Sequence, residues 1–153
     1  FNTVGPRQTG RYGMVLPNFV RQALANEPIT VYGTGKQSRC FAYVGDVVKA
    51  LSQLIRMEKA YGEVFNLGSN ELVSIEDLAL RVRSMINSRS EMVHIPYEQA
   101  YEEGFEDMMS RIPSLEKAAK WIGYKPATPL SETIERVIAY ERKRLAPVNS
   151  EIQ

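Results

Sequence analysis

The sequence has 153 residues, of which 44% are hydrophobic, 24% charged and 9% aromatic, the balance of a globular domain rather than of a disordered, collagenous or membrane-embedded chain. Nineteen Lys and Arg against eighteen Asp and Glu give a formal net charge of +1 with no long basic run, which argues against a nucleic-acid partner. A single cysteine, Cys40, and a single histidine, His94, exclude an intrachain disulfide, a thiolate zinc centre and a multi-histidine metal site.

At this length about 70% of the unfolded surface can be buried, so a core forms without covalent staples. The longest apolar run, Cys40 to Val44, is far short of the ~20 residues of a membrane span, and no charged-then-apolar leader is visible. The expectation is a cytoplasmic chain with no membrane partner. Phe1 to Arg7 reads as the end of a strand entering a turn, without an initiator methionine, as in a piece of something longer.

In chain order, Leu16, Phe19, Val20, Ala23 and Leu24 recur at helical spacing, with Pro17 near the start where its missing N–H costs nothing. Asn26-Glu27-Pro28 ends that helix, and Ile29 to Tyr32 follows as a short strand closed by a Gly33-Thr34-Gly35 turn. A second strand is expected from Arg39 to Val44. It leads through Gly45-Asp46 into a helix on Val47, Ala50, Leu51, Leu54 and Ile55, the strand-then-helix order of an α/β fold.

Glu63 to Leu67 reads as a further strand stopped by Gly68-Ser69-Asn70. Ser74, with Asp77 three residues on, resembles a capping box for a helix carrying Ile75, Leu78, Ala79, Val82 and Ile86. Met92 to Ile95 is a candidate short strand, and the acidic stretch from Tyr97 to Ile112, with Glu102, Glu103, Glu106 and Asp107, is expected to be loop with fragments of helix. Ser114 opens a helix on Leu115, Ala118, Ala119 and Ile122, stopped by Gly123 and Pro126. Thr128-Pro129 opens the last, on Leu130, Ile134, Val137, Ile138 and Leu145. The expected domain runs from 1 to 146, with a tail at 147–153 that need not be ordered.

Most chemical motifs dissolve on inspection. Gly33-Thr34-Gly35-Lys36 lacks the spacing of a phosphate loop, and Thr30 and Gln37 stand where that loop needs Gly and Ser or Thr. Tyr32 and Lys36 match a Tyr-x-x-x-Lys spacing, but that pair works from one face of a helix and two glycines intervene. His94 reads as a strand residue, and Cys40 as a half-buried small apolar one. Two arginines are more informative. Arg39 follows a glycine turn and Arg111 lies in an irregular segment before a helix, and a guanidinium fork suits diphosphate oxygens. Taken by themselves, the residues leave anion binding and plain solvation both open.

Taken together, Phe1 to Arg7, Ile29 to Arg39, Phe41 to Val48, Phe65-Asn66-Leu67-Gly68 and Arg111-Ile112-Pro113 resemble the C-terminal half of the extended short-chain dehydrogenases. This is the NAD-dependent sugar-nucleotide epimerase, dehydratase and decarboxylase family, and the likeness is nearest to its UDP-glucuronate decarboxylase and dTDP-glucose dehydratase branches. The resemblance implies an α/β C-terminal substrate-binding region of several helices and short strands, with the N-terminal Rossmann domain, its glycine fingerprint and the catalytic Tyr and Lys absent. Gly10 and Gly13 do not supply that fingerprint.

The implied ligand is a UDP- or dTDP-sugar, with NAD bound mainly by the missing half. The resemblance gives Asn2 to a phosphate or sugar oxygen, Met14 and Val15 to the nucleotide pocket, Thr30 and Tyr32 to the base, Arg39 to the diphosphate, Asn66 to the nucleotide side, and Arg111 to the diphosphate or ribose. It gives no catalytic, cofactor or metal residue to this chain, which alone is expected to be catalytically inactive. Strand edges left without neighbours favour a homodimer or a domain swap. A non-catalytic nucleotide-binding module and an interaction fragment without ligand are the other readings.

Overall fold

The computed structural model describes residues 1–9, 14–96 and 108–146. Gly10, Gly13, the acidic cluster Glu102, Glu103, Glu106 and Asp107, and the expected tail 147–153 lie outside the described residues. The chain builds strand β1 (Thr3–Val4), helix α1 (Val15–Ala25), strands β2 (Ile29–Tyr32), β3 (Ser38–Cys40) and β4 (Ala42–Tyr43), and helix α2 (Val44–Leu54). Strand β5 (Leu72–Ser74), helix α3 (Ile75–Ile86), strands β6 (Met92–Ile95) and β7 (Ser110–Arg111), and helices α4 (Glu116–Ile122) and α5 (Leu130–Leu145) follow. Among the described residues it is a mixed α/β structure with five α-helices and short, largely parallel strands.

The core forms where the helical spacings predict it. Leu16, Phe19, Val20 and Ala23 of α1 interlock with Leu78, Ala79 and Val82 of α3 and with Leu130, Ile134, Val137 and Ile138 of α5. Ile29 and Val31 of β2 fill the space beneath, and fully buried side chains such as Leu16 and Ile134 contribute roughly 1.5–3 kcal/mol each. Helix α1 ends at Asn26 with φ of 53°, a left-handed conformation that Asn tolerates. Helix α3 is capped as expected, the Asp77 N–H donating to Ser74 Oγ at 2.9 Å. Helix α5 has no such residue at its start; the Leu130 N–H donates instead to Glu71 Oε2 at 3.0 Å.

Three small sheets among the described residues set the frame. β1 lies parallel to β4, β2 lies parallel to β6, and β3 is flanked by β5 antiparallel and β7 parallel. β2 and β6 form where the sequence predicts them. The expected strand from Arg39 to Val44 is instead broken at Phe41 into two strands that pair in different sheets, and the helix starts at Val44. Gly45-Asp46 therefore lies within the first turn of α2 rather than in a connecting turn. The helix gains from both residues: a Cβ on Gly45 would lie 2.5 Å from the Tyr43 ring, and Asp46 accepts from the N–H groups of Ala127 and Thr128 and from the Thr128 hydroxyl.

Four further expectations are corrected. Glu63 to Leu67 forms no strand, because no described backbone pairs with it; Val64 is 81% exposed. Ser110–Arg111, expected as loop, is a strand because its backbone completes the open edge of β3. Ser114 does not cap α4, which begins at Glu116 after an uncapped Leu115. The predicted inner face of α2 buries only Ala50, against Leu115, Ala118 and Tyr124 of a second cluster, while Leu51 and Ile55 stay exposed. No described helix is long and apolar enough to cross a membrane.

Candidate functional site

A cleft of about 370 Å³ opens between the first residues of the chain, α1, β2 and the β3–β7 pair. Arg39 on β3 and Arg111 on β7 are register partners in a parallel pair, so both side chains project to the same face, and both line the cleft. Their settings differ. Arg39 is buried, and its Nη1 donates to the carbonyl oxygens of Ser38 at 2.8 Å and Met108 at 2.7 Å, which fixes the plane of the fork. Arg111 is exposed and stands over the Phe1 ring with its guanidinium carbon 5.8 Å from the centroid.

No acidic side chain is among the described residues lining the cleft. Two guanidinium groups in one concavity contribute positive potential, which favours an anionic ligand. The remaining lining mixes amide side chains with apolar and hydroxyl-bearing ones, Met14, Val15, Phe19, Thr30 and Tyr32 facing the same space. That combination suits a molecule with a flat heterocycle and a diphosphate. The strand period explains the β2 contribution: Ile29 and Val31 enter the core, so Thr30 and Tyr32 face outward.

Seven of the eight residues singled out from the sequence line this one cleft: Asn2, Met14, Val15, Thr30, Tyr32, Arg39 and Arg111. Asn2 bridges strands, its Nδ2 donating to the Cys40 carbonyl at 3.1 Å while its own carbonyl accepts from the Ala42 N–H. Asn66 is not in the lining. It is exposed, and its Nδ2 donates to the Ser114 carbonyl at 3.2 Å, so it ties the segment after α2 to the start of α4.

The sequence reading missed Gln8, Gln22 and Gln37. Gln8 lines the cleft, its Nε2 donates to the Thr3 carbonyl, and its Oε1 is buried without a hydrogen-bond partner among the described residues. Gln37 is buried and donates to the Tyr32 carbonyl at 3.1 Å, joining β2 to the strand that carries Arg39. Gln22 supports Thr30 from α1. The one signal for the glutamines is their position beside cleft residues in the folded chain, which spacing does not reveal.

The motifs set aside stay aside. Tyr32 ends a strand and Lys36 lies in the turn after it, so they share no helix face. His94 is an exposed strand residue with Nε2 3.8 Å from Glu76 Oε1. Cys40 is fully buried rather than half-buried, and burial, with Glu71 second, raises its thiol pKa. Among the described residues no group of His, Cys, Asp and Glu is arranged to hold a metal.

Residues 1–68 match the NAD dependent epimerase/dehydratase family. The chain is 37% identical over 144 residues to a UDP-N-acetyl-alpha-D-glucosaminuronate decarboxylase of Bacillus cytotoxicus, covering 94% of this chain and 44% of that one. It is also 37% identical over 145 residues to UDP-glucuronic acid decarboxylase 1 of Danio rerio, covering 95% of this chain and 33% of the relative. Among solved structures, the UDP-glucose 4-epimerase of Thermotoga maritima, determined with UDP-glucose, superposes with a TM-score of 0.81 at 32% identity, over 94% of this chain and 44% of that one. An epimerase of Methanothermobacter thermautotrophicus gives 0.85 at 26% identity, over 94% of this chain and 42% of that one.

A dinucleotide cofactor needs a glycine turn between a strand and a helix N-terminus. The Gly33-Thr34-Gly35 turn leads from β2 into strand β3, and its backbone is committed elsewhere. The Glu76 N–H donates to the Gly35 carbonyl and the Ile75 N–H to the Gln37 carbonyl, both at 3.0 Å, so the turn wraps the start of α3. A Cβ on Gly35 would meet Val31 Cγ1 at 2.9 Å and Glu76 Cβ at 3.0 Å, so protein already fills the space beside it. Among the described residues this turn is thus not a glycine turn of the dinucleotide-binding kind. Over residues 1–68 the chain resembles the NAD dependent epimerase/dehydratase family, and it shares the fold of the epimerases above, spanning less than half the length of the relatives it matches.

Proposed function

We propose that the cleft binds the nucleoside diphosphate part of a nucleotide-sugar, a UDP- or dTDP-sugar, and that the chain serves as the substrate-holding part of an NAD-dependent sugar-nucleotide epimerase, dehydratase or decarboxylase. The observation that carries this reading is the pairing of Arg39 with Arg111 on adjacent strands at one cleft. Arg39, held by two carbonyls, keeps one fork in place before the ligand arrives, which lowers the ordering cost of binding. Arg111 closes on the other side of the diphosphate, Asn2 meets hydroxyl or phosphate groups between base and sugar, and Met14, Val15, Thr30 and Tyr32 receive the base. Relatives whose names specify UDP-sugars support a uridine diphosphate as the first ligand to try.

The reading leaves hydride transfer to residues outside this chain. Calorimetric titration of UDP into the chain tests it. Binding that weakens in Arg111→Ala supports the site, and UDP binding that both Arg111→Ala and Arg39→Ala leave unchanged removes it. In a separate assay, reduction of NAD by the chain supplied with a UDP-sugar would contradict the division of labour.

A further inference from the structure

Thr30 lines the cleft, and Gln22, in the last turn of α1, stands behind it. Two hydrogen bonds join them: the Thr30 N–H donates to Gln22 Oε1 at 3.2 Å, and Gln22 Nε2 donates to Thr30 Oγ1 at 2.9 Å. Amide orientation is ambiguous in most structures, but here chemistry fixes it. A main-chain N–H can only donate, so the amide oxygen must face it and the NH2 must face the hydroxyl. The hydroxyl then accepts along that line and directs its own proton elsewhere. Among the described residues Thr30 Oγ1 donates to no protein group, so its proton is available to whatever occupies the cleft.

We infer that Gln22 is a positioning residue that makes Thr30 a hydrogen-bond donor toward ring position 4 of the base, and that the pair selects bases with a carbonyl oxygen at that position over those with an amino group. Uracil and thymine offer an acceptor at ring position 4, where cytosine offers a donor. Cytosine would bring its amino group against the Thr30 proton, two donors facing each other. A site built to donate to a ligand discriminates steeply against a ligand that cannot accept. This inference rests on the reading that the cleft takes a nucleoside diphosphate.

The test is a comparison of UDP and CDP, titrated calorimetrically at pH 8 into the unaltered chain, Gln22→Glu and Thr30→Val. An ionised carboxylate at position 22 keeps an oxygen for the Thr30 N–H but puts a second oxygen against the hydroxyl, which must then turn its proton inward and offer a lone pair to the cleft. The unaltered chain is expected to bind UDP at least about tenfold tighter than CDP. Gln22→Glu is expected to lower that ratio about tenfold or more, with CDP gaining on UDP, and the isosteric Thr30→Val to bring the ratio close to one. A merely structural role for Gln22 weakens both nucleotides alike and leaves the ratio in place. A ratio unchanged in Gln22→Glu or in Thr30→Val, with both nucleotides bound, overturns the inference and leaves the site standing. Failure of the unaltered chain to bind either nucleotide overturns the site and the inference together.

Discussion

Arg39 and Arg111 sit directly opposite each other on adjacent parallel strands, although helices α2 and α3 lie between them in sequence. The geometry follows from one short pairing. β3 uses one edge for β5 and leaves the other for the two residues of β7. A strand of two residues has little stability of its own, so the pairing of these arginines depends on β3 being fixed by the core beneath it.

The two arginines are expected to respond differently to truncation. Arg111→Ala removes an exposed side chain, so stability should change by no more than about 0.5 kcal/mol while UDP affinity falls by roughly 1.5–3 kcal/mol, the worth of a charge-assisted hydrogen bond. Arg39→Ala also abandons the Ser38 and Met108 carbonyls and should cost about 1–3 kcal/mol of folding stability besides the loss of binding. Urea unfolding beside calorimetric titration separates the two effects.

Asp46 is expected to be a main tie between α2 and the start of α5. Its carboxylate accepts from the Ala127 N–H at 3.0 Å, the Thr128 N–H at 2.9 Å and the Thr128 hydroxyl at 3.2 Å. Asp46→Ala leaves these donors to water and should destabilise the chain by about 2–3 kcal/mol in urea unfolding. An unchanged midpoint would show that the segment before α5 is held by other contacts.

Glycine is required at position 35 for space as well as conformation. Gly35 has φ of +71° and is walled by Val31 and Glu76, whereas Gly62 has φ of +80° and nothing within 4 Å of an added Cβ. Gly62→Ala should therefore cost about 1 kcal/mol of backbone strain. Gly35→Ala should cost clearly more and, by displacing the turn before β3, weaken UDP binding as well. Thermal melting of the two variants side by side gives the comparison.

Alkaline pH should destabilise the chain partly through Tyr124. Its hydroxyl donates to the Gly68 carbonyl at 2.7 Å, and burial, reinforced by Asp46, raises its pKa. The folded chain thus holds this proton to higher pH than the unfolded chain, whose tyrosines ionise near about 10. The stabilisation is complete below that value and is lost as pH rises through it toward the folded value. Tyr124→Phe should lower stability at neutral pH by about 1 kcal/mol and flatten the loss above pH ~10. A slope as steep as in the unaltered chain would assign the alkaline loss to other groups.

Much of the fold could be read from spacing because its core is helical and amphipathic. The buried faces of α1, α3 and α5, the Ser74 cap and β2 all stand where local pattern puts them. What failed was decided by partners remote in the chain. β7 is a strand only because β3 offers an edge, Glu63 to Leu67 is none because nothing described pairs with it, and the strand after Arg39 splits because Phe41 turns inward between two sheets. The cleft residues were legible through resemblance rather than spacing. Asn66, carried by the same resemblance, lies elsewhere, and Gln22 could not be found because an unremarkable glutamine acquires its role only when Thr30 is folded against it.

A crystal structure of the chain with UDP tests the central claim most directly, because it reads the position of the phosphorus atoms. The account predicts the diphosphate between the guanidinium groups of Arg39 and Arg111, each with an N–H within about 2.7–2.9 Å of a phosphoryl oxygen. A nucleotide bound outside this cleft, or bound within it with either arginine turned away from the phosphates, contradicts it.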